Sequence, residues 1–452
     1  MANPFWQVAL VPFLAVTLLA AALPAAPVAR AQVHGEIVGP GKTRLPVAVA
    51  ELKWMGGLVR TAAADAFRQQ LAADLELSGL FHIIDPGAHI EDPQQAGITG
   101  EGIDFDDWTA IGALGLVRGG YWGTPQGLTV EVRFFDVSTR ASKGGRRLSG
   151  EGTTAARMAH RMTDAIMGFV TGVPGPFDSR IVFVSNREDH YREVYMYSFD
   201  GSVDRLTRHR SVTMAPAWHP SVASILFTSF KERHPALFRL DLASAAEDRI
   251  TRRLGVNVGG AWAPDQSRVV LAREADGNTD LYSLDPDSGE SKRLTRHWAI
   301  DVDPAWSPDG RHLAFCSSRS GKPQVYVMRA DGSQLRRLSF EGEYNSAPAW
   351  SPDGTLIAYA GRRQGRFQIF TVEAAGGTPR QLTFGGSNED PSWSPDSRYL
   401  AFTHRRSGVS SVYMTDVHGR WLKQLTDGKG DDSSPNWSPR RPRGPRVNGG
   451  DG

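Results

Sequence analysis

Six tryptophans recur through the second half of the chain at an almost constant spacing. Trp218, Trp262, Trp306, Trp350, Trp393 and Trp437 stand 44, 44, 44, 43 and 44 residues apart, each in a variant of the phrase "AWSPD". A fixed period of this length indicates an array of one supersecondary unit. Helical pairs and four-stranded propeller blades both have such periods, so the chain must be a repeat protein of one of these two kinds.

The pattern inside one unit decides between the two architectures. Residues 305–339 read as four short strands, "AWSP", "HLAFCS", "QVYVM" and "RRLS", with turn residues between them. Asp-Gly pairs and prolines at these intervals suit hairpins, whereas they would interrupt any helix. Four-stranded units repeated around an axis form a β-propeller.

The number of blades follows from counting the phrases. Second-strand phrases such as "RIVFVS" and fourth-strand phrases such as "DRLT" each occur six times. The array opens on a second strand at 180–185 and ends on a tryptophan strand at 434–439. We expect this last strand to complete the first blade, because closure of the ring removes exposed sheet edges. The tryptophans are expected to be core residues between blades.

The chain before the repeat alternates between strand and helix patterns. The predicted elements are helices at 61–80, 108–114 and 155–172, strands at 45–52 and 81–85, and a hairpin over 115–122 and 128–137. This order predicts a small α/β domain over 45–172, a linker at 173–178 and the propeller at 179–439. The predicted fold class is a mixed α/β N-terminal domain plus an all-β six-bladed propeller.

The two ends of the chain have their own predictions. A continuous apolar run followed by a small-x-small pattern predicts a secretory signal peptide over 1–31, cleaved between Ala31 and Gln32. An uncleaved membrane anchor is the alternative, although a span needs about 20 apolar residues and this run is shorter. We expect a mobile tail at 32–44 and a disordered basic tail at 440–452.

The sequence has few candidates for catalytic or cofactor chemistry. The formal net charge of +2 does not support nucleic-acid binding. "GPGKT" at 39–43 lacks the first glycine of a phosphate loop, and the motifs G-x-S-x-G and H-E-x-x-H are absent. The single cysteine, Cys316, excludes an intrachain disulfide and is predicted to be a buried strand residue. We therefore expect no cofactor, no metal site and no catalytic residue.

The segments that join each fourth strand to the next tryptophan strand, here called the links, vary while their surroundings repeat. The links are 208–214, 252–258, 296–302, 340–346, 384–390 and 427–433. The first three are basic and the last three acidic. In a propeller they lie on one face, so this order predicts a face with a basic and an acidic half that docks a protein partner. The alternative is that surface loops tolerate charge wherever water reaches them.

Phrases outside the repeat resemble the TolB family of the Tol–Pal system of Gram-negative bacteria. "LPVAVAEL", "DLELSGLFHIID", "WTAIGALGLVRGGYW", "EVRFFDV" and "AHRMTDAIMGFVTGVPGPFDSRIVFVS" are similar to its N-terminal domain and linker in order and spacing. The resemblance implies a non-enzymatic periplasmic adaptor that supports outer-membrane integrity and constriction at cell division. It implies two partners, the lipoprotein Pal and TolA, with other outer-membrane or peptidoglycan-associated proteins as further candidates. No insertion into the membrane is expected after signal removal.

The resemblance also implies which residues contact these partners. Pal is expected on the channel face, where the family's contact positions match Val256, Gly259 and Val302. The predicted Pal face comprises Met214, Val256, Gly259, Asp301, Val302, Tyr344, Asn345, Asn388, Glu389, Asp431 and Asp432. The predicted TolA-binding tail comprises Gln32, Val33, His34, Gly35, Glu36, Ile37 and Val38.

A second hypothesis is a propeller enzyme with a divalent metal ion in the channel, similar to lactone hydrolases. Asp301, Asp303, Asn345, Asn388 and Glu389 offer the carboxylate and amide oxygens that such an ion prefers. Stoichiometric binding of calcium or manganese with turnover of a lactone would favour this hypothesis over the adaptor.

Overall fold

A computed structural model describes residues 44–57, 62–92, 94–124, 127–150, 154–251 and 255–441. These residues belong to one compact unit. The predicted signal peptide and its cleavage site, the tail residues Gln32 to Val38, and residues 442–452 lie outside the described residues. Within the described part, no helix is both long and apolar enough to cross a bilayer.

The described part of the N-terminal domain contains a mixed sheet and three α-helices. Its strands are β1 Leu45–Val49, β2 Lys53–Gly57, β3 Phe81–Ile83, β4 Gly115–Thr124, β5 Gly127–Asp136 and β6 Ala141–Ser149. Its helices are α1 Ala62–Leu77, α2 Phe105–Ala110 and α3 Ala155–Thr171, with a 3₁₀ turn at Pro86–Ala88. β1 lies parallel between β3 and β4, β4-β5-β6 form an antiparallel meander, and β2 pairs with the end of β4.

The long helices confirm the predictions from apolar spacing. Phe67, Leu71 and Leu75 on α1 are fully buried, as their shared face requires. α3 begins at the cap of Thr154, whose side chain accepts a hydrogen bond from the third residue after it, and ends at Gly172 with φ of 80°. Strands β2 and β6 were not predicted, because "KWMGG" and "ASKGGRRLS" are exposed, glycine-rich sequences that depend on pairing with β4 and β5.

The propeller contains six four-stranded antiparallel sheets within the described residues, which confirms the predicted number of blades. Blade 1 consists of β7 Arg180–Ser185, β8 Glu193–Ser198, β9 Val203–Arg205 and, from the end of the chain, β30 Ser433–Trp437. Blade 2 is β10 Thr213–Trp218, β11 Ser224–Ser229, β12 Ala236–Asp241 and β13 Glu247–Arg249; blade 3 is β14 Asn257–Trp262, β15 Val269–Ala275, β16 Asn278–Leu284 and β17 Ser291–Arg293. Blade 4 is β18 Asp301–Trp306, β19 His312–Ser317, β20 Gln324–Arg329 and β21 Arg336–Arg337. Blade 5 is β22 Asn345–Trp350, β23 Leu356–Arg363, β24 Arg366–Glu373 and β25 Arg380–Gln381; blade 6 is β26 Ser387–Trp393, β27 Tyr399–Arg406, β28 Val409–Asp416 and β29 Leu422–Gln424.

The tryptophan strands line the central channel. Each of these strands contacts the tryptophan strands of both neighbouring blades, so the six form a closed inner ring. The indole groups also bond between blades: Trp218 Nε1 donates to the carbonyl of Asn436 at 3.0 Å, and Trp393 Nε1 donates to the carbonyl of Ala349 at 3.0 Å. The tryptophans therefore have the inter-blade role that the sequence predicts.

The last strand of the chain completes blade 1, as expected. β30 pairs with β7 and places Trp437 opposite Ile181. Trp437 Nε1 donates to Ser179 Oγ at 2.7 Å, its backbone N–H donates to Ser392 Oγ at 2.9 Å, and its ring lies 5.5 Å from that of Phe199. One residue thus holds together the start of the propeller, its end and the preceding blade.

The N-terminal domain packs on the end of the propeller opposite the links. Tyr399 OH of blade 6 donates to the carbonyl of Ser78 at 2.8 Å, and Trp421 lies against Gly79. A Cβ at Gly79 would lie 2.5 Å from the indole nitrogen, and its φ of 70° favours glycine as well. Behind this contact, Asp74 of α1 accepts a hydrogen bond from His160 of α3 at 2.6 Å, with both side chains buried.

The linker between the domains is held from both sides. The carboxylate of Asp164 on α3 accepts the backbone N–H groups of Phe177 and Asp178 at 2.8 and 3.0 Å. Burial raises the pKa of Asp164 to about 7, although these two hydrogen bonds favour its charged form. Arg440 Nη2 donates to the carbonyl of Pro174 at 2.6 Å. The prediction that the disordered tail begins at Arg440 is therefore wrong, because this residue is bound to the linker.

Closure of the ring can be tested at Trp437. Trp437→Phe removes the buried hydrogen bond to Ser179 and should lower the free energy of unfolding by about 1–3 kcal/mol. Trp350→Phe is the matched control, because the indole N–H of Trp350 has no hydrogen-bond partner among the described residues. Urea unfolding followed by circular dichroism measures both. An equal loss of stability in the two variants would contradict a special role for Trp437.

Candidate protein-docking face

The links share one face of the propeller with the hairpins between the second and third strands. In each antiparallel blade these two kinds of loop emerge at the same end. Side-chain contacts between them are direct: Arg319 in a hairpin binds Asp301 at 2.7 Å, and Arg187 in another binds Asp432 at 2.8 Å. We call this surface the link face.

Each tryptophan strand bends at the same position, three residues before its tryptophan. The residues there are Ala215, Gly259, Asp303, Ala347, Asp390 and Ser434, all with φ between 49° and 58°. The strand register shifts at this point in every blade. Five of the six are not glycine, so the surrounding structure must hold them in this unfavourable conformation.

Hydrogen bonds between blades stabilise these bends. Asp303 Oδ2 accepts the N–H of Ala347 in the next blade at 3.2 Å. The N–H of Gly259 donates to Thr228 Oγ1 of the preceding blade at 3.1 Å. These bonds fix neighbouring tryptophan strands relative to each other at the channel wall and make the link face a rigid platform.

Four residues of the predicted Pal face are fully buried and serve the blades themselves. Asp301 and Asp432 form the ion pairs described above. Asn345 donates to Gln324 Oε1 at 2.8 Å and Asn388 donates to Gln368 Oε1 at 3.0 Å. All four stand at or next to the start of a tryptophan strand, where their side chains turn into the blade rather than into solvent. Their burial does not fit the prediction that they contact a partner directly.

The acidic links do not create an acidic half of the face. Hairpin cations lie beside their carboxylates: Lys322 is 3.2 Å from Glu343, and Arg405 is 3.5 Å from Asp431. In the basic links, arginines such as Arg296 remain exposed. The prediction of an acidic half is therefore wrong. Cations on the neighbouring hairpins lie outside the link sequences and offset the negative charge of the acidic links.

The other predicted Pal-face residues remain at least partly accessible. They are Met214, Val256, Gly259, Val302, Tyr344, Glu389 and Asp431. Around them the structure adds exposed apolar side chains, which the charge pattern of the links does not predict. Trp298, Phe340 and Phe384 are 77%, 69% and 79% exposed, and all three lie in links. The signal in the sequence was a large aromatic residue, as in "RLSF" and "QLTF", directly after a fourth-strand phrase.

The five oxygen ligands of the alternative metal hypothesis do not form a free ligand set. Asp301 is paired with Arg319 of its own blade, and Asn345 and Asn388 donate to glutamines of the preceding blade, as given above. Among the described residues, no three His, Cys, Asp or Glu side chains are grouped closely enough to hold a metal ion. Cys316 is buried, as predicted, and burial raises the pKa of its thiol.

Two carboxyl groups at the bends nevertheless have unusual proton affinities. Asp303 is exposed at the channel wall, but the protein atoms around its carboxyl group displace part of its hydration and raise its pKa to about 6; the carboxylate of Asp390 adds to this increase. Burial likewise raises the pKa of Asp390, against hydrogen bonds from Ser434 and Thr403. The channel wall therefore carries two carboxyl groups that ionise reluctantly.

This predicts a pH dependence that can be measured at Asp303. Because its pKa in the folded state exceeds the ordinary value of 3.8, its ionisation costs stability as the pH rises through about 6. Asp303→Asn removes that cost, keeps an acceptor for Ala347 and tolerates the left-handed backbone. The variant should gain stability relative to wild type between pH 4 and 7 in urea unfolding.

Asp331→Asn is the control for this experiment. Hydrogen bonds from Ser333 lower the pKa of Asp331, so its carboxylate stabilises the fold above the ordinary pKa. This variant should show no gain between pH 4 and 7. A flat difference between Asp303→Asn and wild type over the same interval would contradict the raised pKa.

Comparison with known proteins supports the assignment of both domains. Residues 168–441 match the model of the TolB beta propeller domain, and residues 34–142 match the TolB amino-terminal domain. The chain is 40% identical over 196 residues to the Tol-Pal system protein TolB of Syntrophotalea carbinolica, which covers 43% of this chain and 45% of that protein. It is 37% identical over 190 residues to the TolB of Geobacter sulfurreducens, covering 42% and 43%. The chain thus spans less than half the length of these two curated relatives in the aligned regions.

A solved structure extends the likeness to both domains together. The crystal structure of TolB from Acinetobacter baumannii superposes with a TM-score of 0.79 at 25% sequence identity, covering 88% of this chain and 97% of that one. Since the propeller model alone matches more than half of the sequence, the chain belongs to the TolB family of Tol–Pal system proteins.

Proposed function

We propose that this chain is a non-enzymatic periplasmic adaptor of the Tol–Pal system. In this proposal the link face binds Pal, and the residues from Gln32 onward bind TolA. The protein would thereby support outer-membrane integrity and constriction during cell division. The curated relatives are named as Tol-Pal system proteins, which supports a role of this chain in that system. The features of the link face support the proposed binding of Pal.

The observation that carries the proposal is the set of exposed aromatic side chains on the link face. Trp298, Phe340 and Phe384 are each more than two-thirds exposed, whereas the tryptophans of the blades are largely buried. The three exposed side chains lie in three consecutive links of one face, and large apolar side chains exposed on such a surface are candidates for protein association. Trp is also strongly enriched among the residues that contribute most to binding energy. A macromolecular partner accounts for these side chains better than a small substrate does.

The rigidity of the face supports the same proposal. The bends of the tryptophan strands are bonded between blades, and the buried Asp301–Arg319 and Asp432–Arg187 pairs hold hairpins against links. A pre-organised surface loses little conformational entropy when it binds. The N-terminal domain contacts the opposite end of the propeller, so it leaves the link face open.

The binding of Pal can be tested with the aromatic residues. Phe384→Ala and Trp298→Ala should each weaken binding of Pal from the same bacterium roughly tenfold or more, because such anchors contribute about 2 kcal/mol or more. Leu422→Ala is the control, since Leu422 is an exposed apolar residue on an outer strand of blade 6. Biolayer interferometry with immobilised Pal gives the affinities. Unchanged affinity in both aromatic variants would reject the link face as the Pal site.

The binding of TolA can be tested separately. Deletion of residues 32–43 should abolish binding to TolA and leave the affinity for Pal within about twofold, because the link face is unaltered. Deletion of 443–452 is a matched truncation at the other end and should preserve both interactions. Retention of TolA binding after the first deletion would refute the role of the tail.

A further inference from the structure

A cleft lies where the N-terminal domain, the linker and the end of the propeller meet. Its walls come from β6 and α3 on one side, the linker at its floor, and Pro395, Arg440 and Arg441 on the propeller side. Its volume is about 840 Å³. Ligand sites commonly occupy such junctions between domains, and this volume suits a small molecule.

The cleft concentrates positive charge. Five arginines and two aspartates line it: Arg146, Arg157, Arg161, Arg440, Arg441, Asp164 and Asp178. Both carboxylates are already engaged, since Asp164 accepts the linker N–H groups and Asp178 pairs with Arg157 at 3.1 Å. The cleft therefore has more cations than its own anions can satisfy.

Two of these arginines have no partner of their own. Arg161 on α3 and Arg441 after the last strand make neither a hydrogen bond nor an ion pair with the described residues, although both are partly buried. Guanidinium groups held in partly buried positions without acceptors are costly, because they lose hydration and gain nothing in return.

The surrounding field increases that cost. Burial, together with the nearby cations Arg180 and Arg157, lowers the pKa of Arg441 to about 10, although the carboxylate of Asp178 acts in the opposite direction. Burial and Arg157 also lower the pKa of Arg180, whose Nε is buried and finds no hydrogen-bond acceptor within the described part of the chain. Mutually repelling guanidinium groups around one cavity are stabilised when an anion enters it.

We propose that this cleft binds a small polyanion carrying two or more carboxylate or phosphate groups, held by Arg161 from the N-terminal domain and Arg441 from the end of the propeller. The planar fork of arginine matches the paired oxygens of both groups. Such a ligand would bridge the two domains beside the linker. The site is on the other end of the propeller from the link face and does not depend on the proposed adaptor role.

Isothermal titration of the purified protein at constant ionic strength tests the proposal. The probes are citrate for carboxylates and inorganic pyrophosphate for phosphates, with acetate as a single-charge comparison. We expect one site per chain for at least one of the two polyanions and no measurable heat with acetate. Binding of citrate alone or pyrophosphate alone identifies the group recognised, and binding of both supports the shared oxyanion chemistry.

Substitutions localise the site. Arg161→Gln and Arg441→Gln should each weaken binding roughly tenfold or more, as expected for loss of a charge-assisted hydrogen bond. Arg161→Lys should lose less, because it keeps the charge and removes only the fork. Arg329→Gln, an exposed arginine on β20 with its side chain outside the cleft, is the control and should bind as wild type does.

Thermal unfolding of each variant without ligand shows whether it is folded. In the described part of the chain Arg161 makes no hydrogen bond or ion pair, so its substitution should not disturb α3. Absence of binding by both polyanions at millimolar concentration would overturn the proposal. An equal loss of affinity in Arg329→Gln and Arg161→Gln would overturn it as well, because the binding would then be a general effect of surface charge.

Discussion

The pairing of β30 with β7 is the constraint on which the rest of the structure depends. It brings the last residues of the propeller beside the first and completes blade 1, so that β7 is not left as an unpaired edge at the channel. Because the ring is closed, the six tryptophan strands must surround one channel, and all the links must emerge on one face. The same pairing places Arg440 next to the linker, so the junction of the two domains is assembled from both ends of the propeller.

The link face has two layers of residues. Buried polar residues at the starts of the tryptophan strands support it, and the links before them carry its accessible side chains. The residues at the start of these strands, such as Asp301 and Asn345, turn inward, where Asp301 pairs with Arg319 of its own blade and Asn345 donates to Gln324 of the preceding blade. The links just before them carry the exposed aromatic residues. A partner would therefore contact side chains whose positions are set by a buried polar layer beneath, and substitutions in that layer would alter the face indirectly.

The two surfaces singled out here differ in chemistry and in place. The link face is apolar with offset charges, and it lies away from the N-terminal domain. The cleft is cationic and includes α3, which also holds the linker through Asp164. Since Arg157 and Arg161 project from the same helix as Asp164, an anion in the cleft would act close to the groups that fix the linker.

The sequence by itself determined the architecture, because the 44-residue period, the Asp-Gly turns and the six strand phrases act locally and agree with one another in every repeat. It also determined the helices with clear apolar spacing and the burial of Cys316. Which link residues are accessible depends on the tertiary structure, because Asp432 is buried against Arg187, 245 residues away, and Asn388 against Gln368 of the preceding blade. The same holds for charge: Glu343 and Asp431 are offset by cations outside their own links, and the cationic cleft joins arginines almost 300 residues apart. Such long-range pairings leave no periodic pattern in a single sequence.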